Sequence, residues 1–219
     1  PLGHASAYTE SKWVAEGLCR LAAARGVPVA VYRPGNILCA RGTGVCNPED
    51  FLTKFAQGCV DLRMVPRRRA AYPVGAVDDV ARMVVLFSLQ DDAIGRTFHL
   101  VYPEVTTWDD MFGRLDRYGY DAPVVPWDEW YAAFTGKVAT GSSNALLPLA
   151  DMLSNVKVDN HDWPEFGVEN ARRFREQLGM PYPRLDATYF DAMYKYLADS
   201  GLIDPGRDAP KERQLQLVS

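Results

Sequence analysis

Residues 6–37 read SAYTESKWVAEGLCRLAAARGVPVAVYRPGNI, and the fold class turns on how this run divides. Trp13, Val14, Gly17, Leu18, Leu21 and Ala22 follow helical spacing, Ser6 can cap the run, and Arg25-Gly26 can end it. A helix over 6–25 is predicted. Val27 to Tyr32 is a short apolar, β-branched run, the composition of a buried strand. Arg33-Pro34-Gly35-Asn36 then signals a turn. Helix, buried strand and loop in that order point to an α/β sheet.

Two residues of the first helix carry chemistry. Tyr8 and Lys12 stand four apart, which places them on one helical face with Cβ atoms roughly 5–6 Å apart. Proton delivery to a carbonyl oxygen during hydride transfer uses such a pair. A free phenol ionises near pH 10, and an ammonium beside a phenol favours its charged form. The lysine type can also hold ribose hydroxyls of a nicotinamide cofactor. With eleven tyrosines in the chain the spacing alone is weak, and an exposed lysine beside a half-buried aromatic explains it as well. Position adds weight. In open α/β sheets ligands bind outside the carboxyl ends of strands, where the loop begun by Arg33-Pro34-Gly35 falls. Its backbone is expected to meet a carboxamide, with glycine permitting close approach.

The rest of the chain is read more coarsely. Asn47 is expected to cap a helix with Pro48 at its first position and Glu49 and Asp50 at the positive end of the dipole. Residues 72–77 are extended, Asp78 caps DDVARMVVLFSL, and 96–101 form a strand. Thr107 and Asp110 make a capping box for TWDDMFGRLDRYG. Pro123–Pro126 is extended and Trp127–Phe134 helical. A loop GKVATGSS leads to a helix near Asn144–Leu153, residues 155–166 are irregular, and helices follow at 167–178 and 186–200. The tail from Pro205 is frayed.

The 219 residues carry 47% hydrophobic and 24% charged side chains and a net charge of −4, ordinary for a soluble protein and without the basic footprint of nucleic-acid binding. Arg67-Arg68-Arg69, the one basic run, reads as a solvated loop, with a phosphate-bearing ligand as the outside reading. Cys19, Cys39, Cys46 and Cys59 show no C-x-x-C spacing and the histidines no ligand motif, so no metal is expected and the thiols are read as free, in a cytoplasmic setting. No apolar run reaches the roughly 20 residues of a membrane span. His99 reads as a satisfied core residue. Trp127, Trp130 and Tyr131 read as core rather than channel lining, and Asn144–Leu149 as helix packing rather than acyl-pocket wall. Asp109, Asp110, Asp116 and Asp121 read as solvated charges.

YTESKWVAE, VYRPGNI, NPEDFLTKFAQGCVDL, VDDVARMVV and the later NALLPL together resemble the extended short-chain dehydrogenase/reductases. The closest resemblance is to the thioester reductase domains of nonribosomal peptide synthetases, carboxylic acid reductases and α-aminoadipate reductases. The resemblance covers most of 6–200 and is strongest in the first ninety residues. It implies a partial Rossmann-like α/β sheet with a mostly helical C-terminal substrate lobe. Residues 1–45 would hold the catalytic helix and strand of the cofactor half. Residues 46–75 and 103–204 would form the substrate lobe, 76–102 would return to the cofactor half, and 205–219 would be a tail. It also implies NADPH-dependent release of an acyl or peptidyl thioester, held on the phosphopantetheine arm of a carrier protein, as an aldehyde or alcohol. Tyr8 would donate the proton, Lys12 would support it and bind ribose, and Pro34, Gly35, Asn36 and Ile37 would line the nicotinamide site. Asp78 or Asp79 matches a structural motif position.

The departures set further expectations. No G-x-x-G-x-x-G phosphate loop occurs, and the Ser or Thr that such domains carry before the tyrosine has no counterpart. The chain thus reads as the C-terminal part of a reductase domain whose N-terminal half is a missing partner. Alone it should bind NADPH weakly or not at all, and strand 27–32 should lack its natural sheet neighbours. Two other functions fit the same residues. One is a Dieckmann-type release domain without hydride transfer, against which the tyrosine argues. The other is a carrier-protein or phosphopantetheine-binding module. A sugar-nucleotide epimerase fits Tyr8 and Lys12 but not NPEDF and GCVDL.

Overall fold

The structure, a computed structural model, describes residues 7–68, 71–104, 106–113, 115–141, 144–154 and 166–204. Ser6, Arg69, most of 155–166 and the tail from Pro205 lie outside the described residues.

Helix α1 (Ala7–Ala24) leads through 27–30, where Val29 O accepts from Gly95 N–H at 2.7 Å, into β1 (Val31–Pro34) and β2 (Asn36–Leu38). The strand therefore begins later than expected and runs through the Arg33-Pro34 that read as a turn. β1 pairs in parallel with β6 (Thr97–Leu100), whereas β2 pairs in parallel with β5 (Val74–Ala76). Gly35 is the joint between the two ladders. Its N–H donates to Leu100 O at 3.3 Å and that of Asn36 to Pro73 O at 3.2 Å. A Cβ on Gly35 would stand 2.9 Å from Pro73 O, so the pivot requires glycine. Pro34 is tolerated because, among the described residues, β1 has only one neighbouring strand, and proline suits an edge.

Helix α2 (Phe51–Leu62) is capped by Asp50, not Asn47; the Asp50 carboxylate accepts from Leu52 and Thr53 N–H. Asn47 instead accepts from Glu49 N–H in an Asx turn at 3.0 Å. Helix α3 (Val77–Ser88) has Ala76 at its N-cap, with Asp78 and Asp79 inside the first turn rather than capping. Short strands β3 (Val65–Pro66) and β8 (Val124–Val125) pair in parallel; β4 (Ala71–Tyr72) and β7 (Thr106–Thr107) pair antiparallel. Helix α4 (Trp108–Phe112) opens on the expected Thr107–Asp110 capping box. Helix α5 (Trp127–Ala139) continues through Gly136-Lys137-Val138, which read as loop. Helices α6 (Ala150–Ser154), α7 (Glu169–Gln177) and α8 (Ala187–Asp199) follow.

One apolar core joins α2, α4, α5 and α8 around Phe55, Trp108, Trp130 and Tyr194; the aromatic trio Trp127, Trp130 and Tyr131 packs there. A second joins α3, β6 and α7 around Phe87, Phe98 and Phe174. The GCVDL and NALLPL segments meet: a Cβ on Gly58 would lie 2.2 Å from Leu146 Cδ1, and Asn144 accepts from Leu146 N–H. Helix α1 differs from all of these, because none of its residues is buried and Trp13 and Leu18 are 65% and 62% exposed.

Candidate active site

The sequence places Tyr8, Lys12, Glu16 and Arg20 at successive i+4 steps, so they form one stripe along α1. Lys12 Nζ lies 5.3 Å from the centroid of the Tyr8 ring, so the two predicted residues do meet, and both are solvent-exposed. Glu16 ties the stripe to the sheet. Its two oxygens accept from Arg33 Nε at 2.9 Å and Arg33 Nη2 at 2.5 Å, a bidentate fork, while Arg20 donates to the same carboxylate at 2.6 Å. Arg33's hydrogen bond holds the Glu16 carboxyl below its usual range; partial burial opposes this and Arg20 reinforces it. The guanidinium of Arg33 is correspondingly raised by Glu16.

Arg33 also reaches the second sheet strand. Its Nη1 is 3.0 Å from His99 Nε2, and His99 Nδ1 is 2.9 Å from Gly167 O. A carbonyl only accepts and a guanidinium only donates, so His99 carries its proton on Nδ1 and presents Nε2 as an acceptor. The histidine is thus satisfied on both sides, as expected, although it is half-buried at the edge of the sheet rather than in a core. Glu16, Arg33, His99 and Gly167 form a chain linking α1, β1, β6 and the segment before α7.

Arg33 immediately precedes Pro34, so the anchored end of the stripe adjoins the Pro34–Ile37 segment. At 1.5 Å rise per residue, Lys12 stands about 6 Å and Tyr8 about 12 Å along the helix from Glu16. The segment differs from expectation in one respect. The N–H groups of Gly35 and Asn36 are donated to Leu100 and Pro73, so those two donors are not open to a carboxamide, and glycine serves the strand pivot instead.

Sequence reading missed Glu16 and Arg33, although the i+4 stripe was the available signal. It also missed a buried brace between α3 and α7. Asp79 accepts from Arg175 Nη1 at 2.8 Å, from Nη2 at 3.3 Å and from Tyr102 OH at 2.7 Å. Arg175 further donates to Met180 O at 2.9 Å and to Pro181 O. The motif aspartate is thereby structural, as expected for that position. Asp78 pairs with Arg41: partial burial pushes its carboxyl up, but Arg41's hydrogen bonds and charge bring it below the usual range. Among the described residues no three His, Cys, Asp or Glu side chains are grouped to hold a metal, and no helix is long and apolar enough to cross a membrane.

Residues 1–84 match the family described as male sterility protein. The chain is 30% identical to a linear gramicidin synthase of Brevibacillus parabrevis over 198 residues, 90% of this chain and 4% of that protein. It is 33% identical to the L-2-aminoadipate reductase large subunit of Candida glabrata over 176 residues, 78% of this chain and 13% of that protein. The solved terminal R domain of the myxalamid biosynthetic pathway superposes with a TM-score of 0.81 at 29% identity, covering 92% of this chain and 52% of that one. The chain therefore spans a small part of these two proteins and about half of the solved domain. These likenesses place the chain with the reductase domains of nonribosomal peptide synthetases and L-2-aminoadipate reductases, whose fold is that of the extended short-chain dehydrogenase/reductases.

Proposed function

We propose that this chain supplies the proton-delivering helix and substrate lobe of an NADPH-dependent reductase that releases a carrier-bound acyl or peptidyl thioester as an aldehyde. The observation that carries the reading is the Tyr8–Lys12 contact on a helix forked to the residue before Pro34. The donor set suits the cofactor: a phenol and an ammonium, both exposed, match a carbonyl oxygen and ribose hydroxyls. Tyr8 and Lys12 would hold it together with Pro34, Gly35, Asn36 and Ile37. When bound, NADPH supplies hydride to the thioester carbonyl carbon. Tyr8 Oη gives its proton to the oxygen that becomes negative as the carbonyl π bond opens. Lys12 keeps positive charge beside the phenol while it loses that proton. The resulting hemithioacetal breaks its C–S bond, yielding aldehyde and the free thiol of the arm. Glu16 and Arg33 orient the helix that presents both groups.

The chain has no glycine-rich phosphate loop, so the 219 residues taken alone bind NADPH weakly and turn over slowly or not at all. Micromolar NADPH affinity for the isolated chain would contradict that. The reductase reading is tested with the polypeptide that carries this chain and a carrier-bound thioester. NADPH consumption with aldehyde release is expected, falling roughly 10²–10⁴-fold in Tyr8→Phe. Cyclic product without NADPH consumption would instead identify a Dieckmann-type release domain, and carrier binding without any turnover a binding module.

A further inference from the structure

The β1–β6 register sets Arg33 directly across from His99, so the two side chains leave the same face of the sheet at neighbouring positions. The Arg33 guanidinium is shared between two partners. Its Nε and Nη2 donate to Glu16 at 2.9 and 2.5 Å, and its Nη1 lies 3.0 Å from His99 Nε2. The fork fixes guanidinium and carboxylate relative to each other. It does not fix where the pair sits, because the Arg33 side chain is 40% exposed and little packing holds it. The contact at the third corner of the guanidinium supplies that reference.

His99 is itself referenced to a core. Phe98 and Leu100, on either side of it, are buried. Its Nδ1–H donates to Gly167 O at 2.9 Å, and the Phe166 ring lies beside the imidazole, 5.8 Å between centroids. Gly167 stands just before α7, which is docked on β6: Asn170 Nδ2 donates to Thr97 O at 2.9 Å, and Phe174 meets Phe98 edge to face. Helix α1, by contrast, has no buried residue. Its placement is therefore passed along polar bonds from a packed element.

We propose that His99 is a positioning residue for proton delivery. Its bare Nε2, aimed by the Gly167 bond, holds the Arg33 guanidinium in the plane from which Glu16 sets the rotation of α1, and with it the direction of Tyr8 and Lys12. This rests on the reductase reading above and adds the residue that aligns its helix. His99 acts through Arg33 and Glu16, so the role demands an acceptor at one ring atom, and the bond to Gly167 is secondary to it.

Two amides separate the two ring nitrogens. Glutamine places an oxygen three bonds from Cβ, as Nε2 is, whereas asparagine places an N–H two bonds from Cβ, as Nδ1 is. His99→Gln thus keeps the acceptor for Arg33 and gives up the Gly167 bond; His99→Asn does the reverse. The first assay uses the polypeptide that carries this chain and a carrier-bound thioester. There kcat for NADPH consumption should fall about tenfold or more in His99→Asn at little-changed KM, and His99→Gln should recover most of it. A histidine that only stapled Gly167 would give the opposite order. Amide exchange in the 219-residue chain is a readout without turnover. Helix α1 should exchange about fivefold faster in His99→Asn and near the wild-type rate in His99→Gln, with α3 unchanged in both. If His99→Asn does not fold, His99→Ala takes its place with the same losses expected. Equal α1 exchange in wild type and His99→Asn (or its Ala replacement), or that variant matching or exceeding His99→Gln in activity or in α1 protection, overturns the proposal. Absent NADPH turnover in the wild type would count against the reductase reading alone, and the exchange order would still decide the role of His99.

Discussion

Replacing Arg175 with Met tests whether the brace between α3 and α7 stabilises the fold. The Arg175 and Asp79 side chains are 2% and 4% exposed, so the pair is dry. Arg175→Met leaves the Asp79 carboxylate with the Tyr102 hydroxyl as a side-chain donor and removes the donor from the Met180 and Pro181 carbonyls. Removing one partner of a buried ion pair costs about 3–5 kcal/mol, and an orphaned buried carbonyl about 1–3 kcal/mol, without simple additivity. A net loss of roughly 4 kcal/mol is expected, close to a thousandfold in the folding equilibrium. At about 2–4 °C per kcal/mol for a chain of this size, Tm should fall by roughly 8–16 °C. Urea unfolding followed by far-UV circular dichroism should show a lower midpoint at unchanged m-value. The triple change Asp79→Leu, Tyr102→Phe, Arg175→Met removes all three polar side chains together and should recover most of the loss, since apolar replacement of a whole buried pair is often neutral. An Arg175→Met protein within ~0.5 kcal/mol of wild type, or a triple variant as unstable as the single one, would refute the reasoning.

Three further outcomes are expected. Acid should loosen the α1 brace: Glu16 titrates below its ordinary 4.5 when folded, so its stabilisation is complete above that value and is lost as pH falls through the folded value. Amide exchange in α1 should accelerate over that window in wild type and show no such step in Glu16→Gln. Thiol titration of the native chain should modify Cys19 alone, because Cys39, Cys46 and Cys59 are buried and desolvation lifts the Cys39 thiol to about 12 and raises the other two; four equivalents should react after unfolding. Of two glycine changes, Gly44→Ala should destabilise by at least ~1–3 kcal/mol, since φ is +69° and the new Cβ would sit 1.9 Å from Ala192 O. Gly58→Ala should be milder in chemical denaturation, because the atom in its way is the movable end of Leu146.

What the sequence disclosed and what it hid divide along a physical line. The Thr107–Asp110 box, α5 and the last two helices were legible because local side-chain geometry and 3.6-residue periodicity decide them. Asn47 and Asp50 are both good cap acceptors three residues apart, and composition cannot rank them. Packing of Phe55 against Trp108 and Phe112 registers the helix to begin at Phe51, which gives the cap to Asp50. Pro34-Gly35 read as a turn because that dipeptide usually is one. Here the chain stays extended and changes ladder partner, a decision made by β5 and β6, 38 and 66 residues downstream. The Asp79–Arg175 pair, 96 residues apart, was likewise out of reach of any local rule. Of the site, Tyr8 and Lys12 were found by spacing and their contact follows from it, whereas the fork that orients them needed Arg33 brought to Glu16 by the fold. Periodicity also marked Val14, Leu18 and Leu21 as an apolar stripe, yet each is more than half exposed. A hydrophobic pattern states which face of a helix gains from burial; it carries no information on whether a partner is at hand. The orientation of the Tyr8–Lys12 helix therefore hangs on Glu16 and Arg33, an ion pair whose arginine is 40% exposed. Such a pair is a weaker tether than a packed face, since exposed pairs contribute only ~0.2–1 kcal/mol.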